Sequence, residues 1–442
     1  GVAGMDAHRV EVFHGADGDH VAHAVPHGLK LDLLPAEDGL FNEYLGNGRG
    51  VQAGAGNDAQ LIRVIGRAAA GAAQGESRPD NDRVTNFLRH RQGFLHREMD
   101  TPIWEVDMSA PTVLIQNLET TIQDPLNRNP KVLAAIQRGH RRLQRALTKL
   151  YPRFLVLTLS SDIIHQRLLQ MITSYNEVPA VPTSPRKLGK NMCVPYGKLL
   201  RGKIVPNTVT KTIHTDKVYT PDLSKSTMEA FPHYSPIPSQ IRTIKSFDRP
   251  VILVDDLMHP GFRIQALDPI LREENVDIRM VLVGLLSGHG RDLMDAQGRP
   301  VDSVYYLPRL REWFVESTLY PFIGGNTVRR PVSPVPGMMP GINHILPYAS
   351  PSFRGECSEE AVFELSRCCL ESARDVIFTL EQEYRILYGR NLTLSRLPEA
   401  VILPLCPDKG TCLSYDPSLA ASVYLDNDLE QLLRSLLFLK EK

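Results

Sequence analysis

Two almost wholly apolar runs, Val251–Val254 and Met280–Leu286, constrain this chain more than any other feature. A strand wetted on one face alternates apolar and polar residues, whereas a strand covered on both faces does not need to. Runs of this kind, separated by helical patterns, predict an α/β fold: a parallel sheet with helices on both faces. The first run lies in RPVILVDDLMHPGFR, Arg249 to Arg263, and is followed by two adjacent carboxylates, Asp255 and Asp256. Next come a loop with Gly261 and a helical pattern through Ile264, Leu267 and Leu271, in which Pro269 should kink the helix or delay its start. Ligands of open parallel sheets sit beyond the carboxyl ends of the strands, where loops run into helix N-termini. A phosphorylated sugar needs hydroxyl acceptors and phosphate donors at such a place. The acid pair offers the first clearly, and the loop offers the second in part.

The same reasoning places other elements. Asn129 and Pro130 read as the N-cap and first residue of a helix with Leu133, Ile136, Leu143, Leu147 and Leu150 on one face, ending before Pro152. Its other face carries Arg138, Arg141, Arg142, Arg145 and Lys149. Those cations could grip an acidic partner or RNA, but a solvated face is the favoured reading, because no aromatic residues interleave as single-strand binding would want. Phe154–Leu159 reads as a buried strand, Ser161 as the cap of the next helix, and Val304–Leu307 as a further strand. Ser287-Gly288-His289-Gly290-Arg291-Asp292 reads as a flexible turn at the ligand edge. There His289 and Arg291 could touch substrate, or the glycines serve a tight turn and Asp292 caps a helix. Trp313 is a candidate base-stacking ring or a core residue. Ser358 should cap a long helix closed by Gly389, with a strand at Val401–Leu405 and a helix at Leu429–Leu439 beyond it.

VILVDD followed by a glycine-containing turn resembles the ribose-phosphate fingerprint of the type I phosphoribosyltransferases. In that family the acidic pair binds the ribose hydroxyls, and the turn holds the 5′-phosphate with backbone amides and Thr or Ser hydroxyls. The resemblance assigns ribose and phosphate binding to Asp255, Asp256, His259, Gly261 and Arg263, with Mg²⁺ entering through the ligand and not held directly by the protein. Where the family has threonines this chain has Pro260 and Arg263, with Met258 and Phe262 between. Proline has no N–H to give, so Arg263 is the candidate replacement, by a bidentate grip on phosphate. Lys198, Arg201 and Lys203 lie close together around Gly202, and a pyrophosphate loop is expected at LLRGK, Arg201, Gly202 and Lys203, which also reads as an ordinary basic turn. Val205 to Ser226, with Lys211, His214 and Lys217, fits a mobile flap or an extended surface hairpin.

A wider resemblance spans about residues 150 to 435, through KLLRGKIVPNTVTKTIHT, SPIPSQIRTIKSFDRPVILVDDLMHPG, LVGLLSGHGRDLMDAQGRPVDSVYYLP and YPFIGG. These runs are similar to the C-terminal part of large clostridial proteins called cytidylyltransferase-related. That resemblance implies a fused or partner nucleotidyltransferase domain, whose HxGH-type motif this chain lacks. Residues 1–98 differ from the rest, with one lysine, Lys30, against nine arginines. They resemble open reading frames labelled NAD-specific glutamate dehydrogenase that read as translations of an opposite strand, and they show nothing of a dehydrogenase. The expected division is 1–98 as a poorly ordered or artefactual segment, 99–330 as a phosphoribosyltransferase-like α/β domain, and 331–442 as linker and helical extension. A natural start near Met99 or Met108, or a lost upstream partner, is also expected.

Fifty basic residues balance fifty acidic ones, which gives no global field toward nucleic acid or an anionic membrane. No apolar run approaches a membrane span, and the N-terminus does not read as a secretory signal. The six cysteines lack the regularity of a disulfide framework, so a reduced, cytoplasmic setting is expected. The function expected is binding of phosphoribosyl pyrophosphate or a nucleotide with Mg²⁺, with phosphoribosyl transfer if the site is active. The alternative is a non-catalytic nucleotide-sensing or structural module of a larger cytidylyltransferase-related protein.

Overall fold

The parallel arrangement expected from the apolar runs is present. The computed structural model describes residues 107–178, 187–198, 205–330, 333–351, 353, 357–408 and 415–440. All of these lie in one compact unit, Pro79–Lys442. The segment 1–98 lies outside the described residues, as does the loop Arg201-Gly202-Lys203.

In chain order the larger elements are β1 (Asp107–Gln116), α1 (Pro130–Leu150), β2 (Phe154–Ser160), α2 (Ser161–Tyr175), β3 (Met192–Pro195), β4 (Val209–Thr210), β5 (Thr215–Tyr219) and β6 (Ser226–Ala230). Then come α3 (Ile237–Lys245), β7 (Val251–Met258), α4 (Phe262–Glu273), β8 (Ile278–Ser287), α5 (Gly288–Ala296), β9 (Val301–Leu307), β10 (Glu312–Val315) and the one-turn α6 (Glu316–Leu319). The chain continues with β11 (Asn326–Val328), β12 (Met339–Ile342), α7 (Glu359–Tyr388), β13 (Leu405–Pro407) and α8 (Ala421–Lys440).

Three sheets result. The order β4-β3-β7-β8-β9 is parallel throughout, as is β10-β1-β2, while β13-β12-β11-β5-β6 is mixed. In the first sheet β3 and β7 are the central topological switch. From β3 the chain moves outward to β4, then crosses back to β7 and proceeds the other way to β8 and β9. Loops leaving the carboxyl ends of β3 and β7 therefore diverge, and such a switch point is where open parallel sheets form a ligand crevice. Val251, Leu253, Val281 and Val283 on one side of this sheet pack with Ile241 and Ile244 of α3 and Ile264, Leu267 and Leu271 of α4. Gly284 lets α2 approach the other side, because a Cβ there would stand 2.6 Å from Ile164 Cγ2.

A second core joins β1, α1, β10 and the C-terminal helices. Asn129 caps α1 by accepting from the amides of Lys131 and Val132, with Pro130 first in the helix, as expected. Ser358 and the left-handed Gly389 bound α7 as expected. Several boundaries differ. Ser161 is the first residue of α2, not its cap, and β13 starts at Leu405, with Val401 forming only an isolated bridge to Ile122. The stretch 287–292 is not a flexible turn: Ser287 accepts from the Gly290 amide and starts α5, so Asp292 lies inside that helix. Pro269 lies within α4 without delaying its start.

At the carboxyl edge of β10-β1-β2, Glu316 is fully buried. His140 Nε2 lies 2.8 Å from its Oε2, and the Tyr320 hydroxyl donates to its Oε1 at 3.2 Å. Burial raises the Glu316 pKa, while the His140 contact opposes the rise, and nearby Glu119 adds to it. A carboxyl with a raised folded-state pKa holds its proton longer folded than unfolded, so its contribution to stability declines as pH rises through that value. Glu316→Gln should therefore gain stability relative to wild type in urea denaturation as pH rises above the ordinary carboxylate range. A difference independent of pH would contradict this placement of Glu316.

Candidate functional site

β7 runs four residues past the expected Val254, so the acid pair lies within the strand and not after it. The ladder with β8 explains this, since Asp255 pairs with Val283 and Met258 with Leu286, while β3 stops at Pro195 opposite Val254. Both carboxylates thus stand just beyond the tip of β3, at the switch crevice.

Asp255 is only 3% exposed. Its Oδ1 accepts from the Asp256 amide at 2.8 Å and from Arg263 Nη1 at 2.5 Å. Arg263 Nη1 also lies 3.7 Å from Asp256 Oδ2. Burial raises the Asp255 pKa, Arg263 pulls it down, and Asp256 pushes it up again. The opposing wall comes from the turn after β3. Lys198 donates its amide to Asp256 Oδ2 at 2.5 Å, and a Cβ on Gly197 would lie 2.4 Å from Asp256 Oδ1 and 2.7 Å from Asp255 Oδ1. Only a glycine lets this backbone come so close. Tyr196 is 1% exposed, and its buried hydroxyl has no hydrogen-bond partner among the described residues. Its pKa is raised by burial first and by Asp255 next, which places it in the field of the same pair.

Gly261 has φ +69° and precedes α4 without any side-chain cap. A Cβ there would meet Leu293 at 2.3 Å, so the residue serves both the left-handed turn and the packing of α5. Lys198 Nζ lies 3.8 Å from Asp216 Oδ1 on β5, and Lys217 Nζ sits 5.0 Å from the Phe262 ring centroid at the start of α4. The β5–β6 hairpin therefore borders the crevice, yet β5 is an interior strand between β11 and β6.

The sequence candidates fall into groups. Asp255, Asp256 and Arg263 meet directly, with Gly261 in the intervening turn. Lys217 borders them through Phe262. Arg201, Gly202 and Lys203 lie outside the described residues, although Lys198 just before them binds Asp256. His259 is 2% exposed and packs edge-on to His289 at 5.3 Å and Trp313 at 5.2 Å. His214 stacks on Tyr234 at 3.8 Å, and the Lys211 amide bonds the Cys193 carbonyl. Arg291 is exposed over the Tyr306 ring. Sequence reasoning missed Tyr196, Gly197 and Asp216, and it grouped Lys198 with the basic residues around Gly202 without linking it to the acid pair. The available signal was a glycine directly after a short apolar strand, MCVPYG.

No protein-family model matches the chain, and no curated protein matches it. A solved structure described as that of the AQ2163 protein from Aquifex aeolicus aligns with 42% of this chain and 85% of its own, at 12% identity and a TM-score of 0.23. That likeness is too slight to bear on fold or function.

Gly197→Ala should cost about 1–3 kcal/mol in denaturant unfolding, because a new methyl must displace one of the two carboxylates. A cost below about 0.5 kcal/mol would mean that the β3 turn does not press on the acid pair.

Proposed function

We propose that the crevice between β3 and β7 binds a phosphorylated ribose, as phosphoribosyl pyrophosphate or a nucleotide, with Mg²⁺ carried in by the ligand. The observation that carries this reading is the acid pair at the switch point, with the Lys198 amide on Asp256 and, in the field of the pair, a buried Tyr196 hydroxyl that has no hydrogen-bond partner among the described residues. Carboxylates accept from ribose hydroxyls, and a buried hydroxyl without a partner gains a bond when a sugar oxygen arrives. Arg263 supplies the positive charge for the phosphate in a turn that has neither Thr nor Ser. Asp255 is already engaged by Arg263, so Mg²⁺ in this reading arrives bound to the diphosphate of the ligand. Mg²⁺ bound to a diphosphate would neutralise its charge, while Asp255 and Asp256 hold the sugar.

In the catalytic version, the pre-placed carboxylates stabilise a ribose that gains positive charge as pyrophosphate leaves, and no protein nucleophile is required. The second version is a nucleotide-sensing or structural module of a larger nucleotidyltransferase. It is favoured by the Arg263–Asp255 contact, since an arginine committed to the ribose acceptors is poorly placed for transfer chemistry. A cytoplasmic setting belongs to the same proposal; no helix of the described residues is long and apolar enough to cross a membrane.

Calorimetric titration of phosphoribosyl pyrophosphate with Mg²⁺ tests the binding. Asp255→Asn with Asp256→Asn should weaken it at least tenfold, about 1.4 kcal/mol. Equal affinity in the double variant would remove the ribose site. Pyrophosphate release with a nucleobase would decide for transfer, and binding without release across the common bases would decide for the module.

A further inference from the structure

On the exposed side of α1, Arg138, Arg141, Arg142 and Arg145 line a groove of ≈320 Å³. The buried stripe of the same helix, Val132, Ile136, Leu143 and Leu147 among others, points the other way into the core. Asp375 of α7 accepts from Arg138 Nε at 3.0 Å and Nη2 at 3.1 Å, and lies 3.6 Å from Arg142 Nη1. One carboxylate thus fixes two guanidiniums without matching their charge. Arg141 is exposed and has no carboxylate within ion-pairing distance among the described residues.

The helix dipole does not account for the pattern. Its pull on cations fades beyond the last turn, which here holds Lys149, whereas the four arginines lie upstream. Arginine's planar fork matches phosphate oxygens two at a time, which ammonium groups do not do. From Arg138 to Arg145 the helix rises about 10 Å, the reach of a short polyphosphate and not of a nucleic-acid strand. Only arginines line the groove, so it has no ring on which a base could stack.

We propose that this groove is a second anion site, which takes the di- or triphosphate group of a small ligand. It does not depend on the reading of the β3–β7 crevice, because it is built from α1 and α7. The test is calorimetric titration of the full chain with inorganic pyrophosphate and tripolyphosphate, without Mg²⁺, at low and moderate salt. Both should bind, tripolyphosphate more tightly, and Arg141→Glu with Arg145→Glu should weaken each at least tenfold. Those two side chains are exposed, so circular dichroism should show an unaltered fold. Asp255→Asn with Asp256→Asn should leave this binding unchanged, which separates it from the crevice. Wild-type affinity in the arginine double variant would overturn the proposal, as would absence of binding to wild type. So would binding confined to single-stranded oligonucleotides that tightens with their length, which would make the groove a nucleic-acid track.

Discussion

One ion pair at a strand tip holds the crevice together. Asp255 is almost wholly buried, and a carboxylate out of water is tolerated only with strong partners. Arg263, in the first turn of α4, provides that partner at 2.5 Å. Breaking such a buried pair by removing one member typically costs about 3–5 kcal/mol, because the other charge is left uncompensated. The pair therefore ties the end of β7 to the start of α4, and it fixes the turn containing Gly261. Any ligand entering the crevice has to compete with this contact. A sugar phosphate has the chemistry to do so, since it offers anionic oxygens to Arg263 and hydroxyls to the two acids at once.

The surrounding fold brings three independent pieces of chain to that tip. The switch in strand order opens the crevice, the β3 turn closes one wall with a backbone amide, and β5 brings Asp216 and Lys217 along the edge. Gly197 and Gly284 allow the close approaches on either side of Asp256: a Cβ on the first would strike its carboxylate, and one on the second would strike its carbonyl oxygen at 2.5 Å. Away from this crevice, the same chain repeats a parallel arrangement in β10-β1-β2, with Asn117 after β1 and Ser317 after β10 bonded to each other.

Much of the architecture was legible in the apolar patterning. α1 and α7 begin and end at the residues that their caps suggested, because capping is local chemistry. β7 and β8 were recognisable, but their ends were not. Whether Asp255 continues a strand depends on Val283 across the ladder, which is information from another part of the chain. The same limit explains 287–292, where two glycines suggested a loop but Ser287 starts a helix that packs Met294 into the core. At the site, the acids and Arg263 stood out in sequence, whereas their mutual engagement did not. Tyr196 to Lys198 join them only through pairing of β3 with β7, Lys198 and Asp256 being 58 residues apart in the chain.

The most direct measurement is a crystal structure with ribose 5-phosphate bound, compared with one of the free protein. In the complex the Arg263 guanidinium should leave Asp255 for the phosphate, the ribose hydroxyls should take its place on Asp255 and Asp256, and the Tyr196 hydroxyl should gain a partner. An Arg263–Asp255 pair that stays intact while ligand is absent from the crevice, or sits elsewhere on the molecule, would contradict the ribose-phosphate site.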